Sequence, residues 1–128
     1  MRSLARETVF KYLFSRLFNP SDEGLFDVLA KDLNDSDKDF ARKLLDFVID
    51  NEQKYLDAIT RLSIGYKLNR VHNADKSALI IGMAELDNFP ETPVPVVIDE
   101  SVNMVAKYST ENSTDFVNGV LAEYAKEK

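Results

Sequence analysis

Few side chains in this sequence have the types and spacing that metal binding requires. Asp35, Asp37 and Asp39 resemble the start of a calcium-binding loop. The sixth position of such a loop is glycine, because the chain turns sharply there, but this sequence has Phe40. We therefore expect no calcium site in this acidic stretch.

The residues that commonly catalyse reactions are isolated from one another in the sequence. His72 is the only histidine, and the absence of cysteine excludes disulfides, thiolate metal sites and a cysteine nucleophile. Asp99 and Glu100 are adjacent carboxylates, but neighbours on a helix point in different directions and do not share a proton. We expect a protein that is not an enzyme and holds no metal or cofactor.

Charge is distributed unevenly along the chain. The net charge of −6 by itself argues against a nucleic-acid partner. However, residues 1–18 carry a net charge of +3, whereas residues 19–39 and residues 71–106 each carry −5. A basic N-terminal segment therefore coexists with an acidic total.

The size and hydropathy of the chain indicate one globular domain. Its 128 residues, 45% of them hydrophobic, suffice for one core. No apolar run is long enough for a membrane span or a signal peptide, so we expect a cytoplasmic protein.

Apolar residues recur at helical spacing almost throughout, which predicts an all-α fold. The long run through 34–59 is either one helix or two joined near Asp50 and Asn51, and Ser36 with Asp39 resembles a capping box at its start. The predicted helices lie around Phe10–Leu17, at about 22–31, at 34–59, at 75–86, at 94–107 and at 116–124. Asn19 and Pro20 end the first helix, Gly65 closes the third, and 66–73 is a connector or a short helix.

The last third of the sequence combines two amphipathic segments. Thr92 and Pro93 favour a helix start before Val94, although the β-branched residues of 94–98 leave a strand as the alternative. Gly119 lies inside the second segment, where glycine costs about 0.8–1 kcal/mol relative to alanine. We expect it to mark the close approach of another helix or of a ligand backbone.

Four segments, which follow one another along the chain in the same order as in the family, give this sequence a resemblance to the NusB family of bacterial transcription antitermination factors. The most specific is VPVVIDESVNMVAK at 94–107 followed by FVNGVL at 116–121. The others are ARETVFKYLF at 5–14, DFARKLLDFVIDNEQKYLDAI at 39–59 and DKSALIIGMAEL at 75–86. The resemblance implies two small helical bundles packed together in a single domain of residues 1–128, with lobes at about 1–65 and 66–128, and no catalytic activity.

The same resemblance implies that the protein binds the boxA element of ribosomal RNA leader transcripts. It would do so together with NusE, a small-subunit ribosomal protein, in a complex that joins RNA polymerase. Carried onto this sequence, the resemblance nominates seven residues for RNA contact. Arginine and lysine would neutralise phosphates, an aromatic ring would stack on a base, and amide or hydroxyl groups would reach base edges or the 2′-hydroxyl. The seven are Arg2, Arg6, Lys107, Asn112, Ser113, Phe116 and Asn118.

Six of these seven residues also have a structural alternative. Phe116 could be a core anchor, Asn112 and Ser113 could cap a helix, Asn118 could pair helices, and the arginines could be solvated. For the basic partner NusE, acidic and apolar residues supply the candidate contacts, with a solvated acidic face as the alternative. These candidates are Asp75, Glu85, Val94, Val97, Asp99 and Glu100.

Several positions depart from the family pattern. Ser3 and Leu4 interrupt the expected run of arginines, and Ile80 stands where an arginine is expected. Ala84 and Phe14 each stand where a tyrosine is expected. Fewer cations predict weaker RNA binding and a shallower salt dependence. A helical interaction scaffold with weak or lost RNA binding is therefore the alternative function, and the sequence leaves open whether the protein is a monomer or a homodimer.

Overall fold

The computed structural model describes residues 2–16, 24–63 and 71–128, and these form six α-helices without a strand. The all-α prediction is confirmed, and the strand alternative at 94–98 is wrong. The predicted stops at Asn19–Pro20 and Gly65 lie outside the described residues, as does most of the connector at 66–73. The helices are α1 Ser3–Arg16, α2 Leu25–Ala30, α3 Asp35–Leu62, α4 Asn73–Asn88, α5 Val94–Tyr108 and α6 Glu111–Lys126.

Helix α4 is the centre of the fold. Every residue from Ser77 to Glu85 is buried, and α4 packs against α1, α3, α5 and α6. A helix that is apolar on all sides must be surrounded, which accounts for this position. One cluster of buried apolar residues extends through all six helices. The division into lobes at 1–65 and 66–128 stays a prediction.

Helix α3 is kinked at Asn51, where φ is −125° and ψ is 18°. The Asn51 side chain donates a hydrogen bond of 3.0 Å to the carbonyl oxygen of Phe47, four residues earlier in the helix. Asparagine side chains often bond to a nearby backbone carbonyl in this way. The predicted junction near Asp50 and Asn51 is thus confirmed. The capping box at Ser36 is wrong, because the helix begins two residues earlier than that box requires: Asn34 is the N-cap and its side chain accepts a hydrogen bond from the Asp37 amide.

Helices α5 and α6 approach α4 at Gly82. A Cβ atom at this position would lie 2.8 Å from the Leu121 Cδ1 atom and 2.8 Å from the Ser101 hydroxyl oxygen, so only glycine fits without a shift. At Gly119, in contrast, a Cβ atom would meet no described atom within 4 Å. The expectation that another helix approaches Gly119 is wrong. The close approach of a ligand backbone there stays a prediction.

Asp87 ties the end of α6 to α3 and α4. Its carboxylate accepts hydrogen bonds from the Lys54 ammonium at 3.1 Å and the Tyr124 hydroxyl at 2.7 Å, and it pairs with Lys128. Burial would raise the pKa of Asp87, but these three donors outweigh it and hold the pKa below its ordinary value of 3.8. The ionised carboxylate is therefore the form that joins the three helices.

None of the described helices is both long enough and apolar enough to cross a membrane.

Candidate nucleic-acid interface

A cleft of about 280 Å³ lies where the start of α4 meets the start of α6. It brings together three of the residues predicted to contact RNA and one predicted to contact a protein partner. It also includes three residues that sequence reasoning missed, from the segment before α4 and the N-cap of α6. The lining residues are Val71, His72, Asp75, Thr110, Asn112, Ser113 and Phe116.

The wall of this cleft contains a chain of hydroxyl groups that ends on a buried carboxylate. The Ser113 hydroxyl donates to Asp75 Oδ2 at 2.9 Å. Because a hydroxyl has one proton, Ser113 must accept from its own neighbours, and the Ser109 and Thr110 hydroxyl oxygens each lie 3.0 Å away. Asp75 is only 4% exposed, so it belongs to the wall of the cleft and not to an open acidic face.

Phe116 is half-buried: it packs against the hydrophobic core and also lines the cleft. The core-anchor and stacking interpretations are therefore compatible with one position. Asn112 is exposed at the same cleft, inside the first turn of α6, where Thr110 and not Asn112 or Ser113 occupies the N-cap. Asn118 is exposed on α6 and is not part of the cleft lining.

The basic residues Arg2, just before α1, and Arg6, on α1, are not part of this cleft lining, and they differ in burial. Arg6 is 4% exposed and donates two hydrogen bonds to Glu85, which is itself 1% exposed. Burial would lower the pKa of Arg6, but the hydrogen bonds and charge of Glu85 outweigh it and raise that pKa. Arg2 is partly exposed, and its guanidinium lies 4.5 Å from the centre of the Phe40 ring, a cation–π contact.

Lys107 is exposed on α5 and faces α1. Its ammonium group lies 2.9 Å from the Glu7 carboxylate, which also accepts a hydrogen bond from the Tyr108 hydroxyl. Burial would raise the pKa of Glu7, but the hydrogen bonds from Tyr108 and Lys107 outweigh it and lower the pKa. An RNA phosphate would therefore compete with Glu7 for Lys107.

The residues predicted to contact a protein partner divide by burial. Val94 and Asp99 are exposed, and Glu100 is partly exposed while it accepts a hydrogen bond from Ser3. Glu85 and Val97, like Asp75, are buried. Val96 is an exposed apolar residue beside Val94 that sequence reasoning missed, although its place in the first turn of α5 was a usable signal.

The described residues contain no group of three or more histidine, aspartate or glutamate side chains that could hold a metal ion.

The sequence pattern of the NusB family matches residues 2–126. The chain belongs to the NusB family. It is 33% identical to the "Transcription antitermination protein NusB" of Carboxydothermus hydrogenoformans, over 98% of this chain and 92% of that protein. A solved structure of T. maritima NusB superposes with a TM-score of 0.93 at 31% identity and covers 99% of this chain and 92% of its own. A structure of the "Antitermination Factors NusB and NusE in complex with dsRNA" superposes with a TM-score of 0.86 at 27% identity. The superposition covers 99% of this chain and 97% of the chain in that structure.

The departures from the NusB pattern have structural counterparts. Ile80 and Ala84 are both buried in the core of this NusB chain. An arginine at position 80 would have to bring its charge out of the interior, whereas isoleucine contributes to the core. Leu4 is 66% exposed, so the position that interrupts the arginine run presents an apolar side chain to solvent.

Proposed function

We propose that this protein is a transcription antitermination factor that binds boxA RNA together with NusE. It acts in the cytoplasm, and it acts by binding and not by catalysis. The observation that carries the proposal is the cleft between α4 and α6, which joins Phe116 and Asn112 within a NusB fold. Single-stranded RNA is recognised by stacking and hydrogen bonding to splayed bases, and this cleft offers both.

In this proposal Phe116 stacks on one base, a contact worth about 1–3 kcal/mol. Asn112 offers its amide to the edge of that base or to a 2′-hydroxyl, and Asn118 extends the contact along α6. The buried Ser113 hydroxyl donates a hydrogen bond to Asp75 and so fixes this carboxylate in the wall of the cleft. Because stacking tolerates any base, sequence preference would come from the amide groups at the rim.

The phosphates would be neutralised by Arg2 and Lys107, which are both accessible. Direct phosphate contact by Arg6 would leave Glu85 as an unpaired charge in the interior, which is strongly unfavourable. We therefore assign Arg6 an indirect role: it fixes α1 on α4 and so positions Arg2.

For NusE we propose the exposed end of α5, where Val94 and Val96 supply apolar contact and Asp99 and Glu100 supply negative charge. Ribosomal proteins are generally basic, so such a surface would steer NusE toward α5 and accelerate association. Glu85 and Val97 would support this surface from below, whereas Asp75 belongs to the wall of the RNA cleft. The RNA–protein complex would then join RNA polymerase.

A helical interaction scaffold with little RNA binding remains the second candidate function. It is favoured by one observation: Arg6 is already paired with Glu85, and Leu4 and Ile80 replace expected cations, so few basic groups face solvent near the proposed RNA surface.

The two candidates are separated by titrating boxA RNA and a scrambled RNA of equal length against the protein alone, NusE alone and the mixture, each at two salt concentrations. The proposed function predicts that the mixture prefers boxA and that this binding weakens with salt. If no condition distinguishes boxA from the scrambled RNA, the antitermination proposal fails and the scaffold is favoured.

A ring-removing substitution tests the stacking role within the same titration. Phe116→Leu keeps an apolar side chain against the core but removes the stacking surface, and we expect roughly a tenfold loss of boxA affinity. Phe47→Leu is the matched control, because Phe47 is also half-buried against the core but lies on α3. Equal affinity in both variants would show that Phe116 serves only the core.

A further inference from the structure

A second cleft, of about 380 Å³, lies between α2 and the first turns of α3, and none of its lining residues has been assigned a role above. Three of its lining residues are basic and one is acidic. Its apolar residues, Phe26 and Ala30, are buried, whereas its four charged residues are exposed. The lining residues are Phe26, Asp27, Ala30, Lys31, Lys38 and Arg42.

The three cations of this cleft are unusual in this acidic protein because none of them forms an ion pair with a carboxylate of the described residues. Most described lysines and arginines form ion pairs, including Lys43, whose ammonium lies 3.1 Å from Asp39 on the same helix. Within the described residues, those that form no ion pair are Arg2, Lys31, Lys38, Arg42 and Lys76. Three of these five therefore line one cleft, which is how an anion site is built.

The local structure holds these cations in one place. Lys38 and Arg42 are four residues apart on α3 and so lie on the same face of the helix. The Arg42 guanidinium lies 5.1 Å from the centre of the Phe26 ring, which contacts Tyr12 edge-on. Stacking on the ring orients Arg42 while its N–H groups remain available to a phosphate. Lys31 comes from the other wall, at the C-terminal end of α2.

The surroundings of the cleft limit how strongly it can bind alone. Asp27 lies in the lining, and Asp35 and Asp37 lie in the first turn of α3. Such neighbouring carboxylates repel a free anion as it approaches. A phosphate on an RNA that is already held elsewhere on the protein has a high effective concentration, and for such a phosphate the penalty is offset.

We propose that Lys31, Lys38 and Arg42 bind the phosphodiester backbone of RNA that flanks the segment held at the α4–α6 cleft. This inference rests on the proposed function and extends it, because it adds a contact that carries no base preference. An acidic peptide would meet the same charges, but the buried Phe26 and Ala30 offer it no apolar anchor. A polyanion such as RNA needs none.

The test uses the double variant Lys38→Gln/Arg42→Gln, with Lys43→Gln as the matched control on the same exposed stretch of α3. Each protein is titrated with boxA RNA and with boxA RNAs lengthened stepwise at the 5′ or 3′ end, in the presence of NusE and over a range of salt. For the short RNA we expect equal affinities. For one series of lengthened RNAs, the double variant should bind several-fold more weakly than the control. Its log–log salt slope should fall by roughly 0.7 for each lost phosphate contact.

Equal salt slopes for the double variant and the control on every lengthened RNA would overturn the inference and leave the proposed function intact. A polyglutamate peptide that binds the wild type and not the double variant, with RNA binding unchanged, would likewise overturn it in favour of a peptide site. If the wild-type protein with NusE does not bind boxA RNA at all, the proposed function is overturned, and this inference with it. Circular dichroism melting curves check that all the variants are folded.

Discussion

The guanidinium of Arg6 and the carboxylate of Glu85, 79 residues apart in the sequence, are joined by two hydrogen bonds of 2.7 and 2.6 Å. This paired geometry is the strongest that an arginine and a carboxylate form. Because both side chains are buried, the pair fixes α1 on the central helix. Removing Arg6 would leave Glu85 without its partner, and removing Glu85 would leave the buried Arg6 with only the Glu100 carboxylate, 3.7 Å away.

Replacing Glu85 with glutamine should therefore lower the free energy of unfolding by about 3 kcal/mol, because the buried charge of Arg6 loses its two hydrogen bonds and keeps only the more distant Glu100 carboxylate. Urea denaturation followed by circular dichroism measures this change. Lys126→Ala is the control: it breaks the pair with Glu123, but both side chains are exposed, so the loss should stay below about 1 kcal/mol. Equal losses in the two variants would contradict a buried pair.

The same pair predicts the behaviour of a double substitution. Arg6→Met combined with Glu85→Gln removes both charges, and the double variant should be more stable than the Glu85→Gln single variant. The comparison of single and double variants in urea isolates the interaction. Strictly additive losses would mean that the two residues stabilise the protein independently.

Gly82 and Gly119 should respond oppositely to alanine. Gly82→Ala places a Cβ atom 2.8 Å from the wholly buried Leu121 side chain, and overpacking of this kind costs about 1–3 kcal/mol. Gly119→Ala meets no described atom and should gain about 0.8–1 kcal/mol from helix propensity. Thermal melting of both variants measures the difference, and a stabilised Gly82→Ala would refute the close packing of α4 and α6.

Gly119→Ala also tests the remaining role expected of that glycine. If an RNA backbone approaches α6 there, the variant will be more stable but will bind boxA RNA more weakly in the presence of NusE. Unchanged affinity would show that the exposed face at Gly119 is free of RNA.

Acid should weaken the link that Asp87 forms between α3, α4 and α6. The pKa of Asp87 is lowered in the folded protein, so its contribution to stability is present above the ordinary pKa of 3.8 and is lost as the pH falls through the lower folded value. The free energy of unfolding of the wild type should exceed that of Asp87→Asn at neutral pH, and the gap should close in acid.

Asp99→Asn serves as the control for this pH dependence, because Asp99 is exposed and forms no ion pair with a described residue. Its unfolding free energy should follow that of the wild type at every pH. A gap between wild type and Asp87→Asn that persists unchanged in strong acid would mean that the carboxylate charge does not hold the helices.

Glu7 should restrain RNA binding by Lys107. Glu7→Gln removes the carboxylate that holds the Lys107 ammonium at 2.9 Å, so affinity for boxA RNA should rise, whereas Lys107→Gln should lower it and reduce the salt slope. Lys126→Gln, at the far end of α6, is the control. If neither Glu7→Gln nor Lys107→Gln changes affinity, Lys107 does not contact phosphate.

Much of the fold could be predicted from local patterns. Apolar periodicity located the helices, and the polar pair Asp50–Asn51 marked the kink of α3, because an asparagine side chain can satisfy a carbonyl that the bent helix frees. Cap positions were less predictable. Asn34, and not Ser36, caps α3, since several capping residues stand side by side and only the backbone conformation selects one.

The candidate site was harder to predict, because burial of charge depends on distant contacts. The resemblance nominates Arg6 for phosphate contact, yet Arg6 continues the stripe of Val9, Phe10 and Leu13 at helical spacing and is buried with them. Glu85 similarly continues the stripe of Ala78, Ile81 and Gly82. Two opposite charges, each completing an apolar stripe, are a signal for a buried pair. Val71 and His72 offered no such signal, since their place in the cleft depends on how the start of α6 packs.

The absence of a side chain at Gly82 also limits how NusB sequences of this kind can drift. Leu121 and Ser101 occupy the volume that a methyl group at position 82 would need. A smaller residue at 121 or 101 would remove the overpacking that alanine at 82 causes, so these three positions should change together and in a preferred order. The close meeting of α4, α5 and α6 thus leaves a trace that a comparison of many descendants could reveal: an evolutionary dependence between residues far apart in the chain.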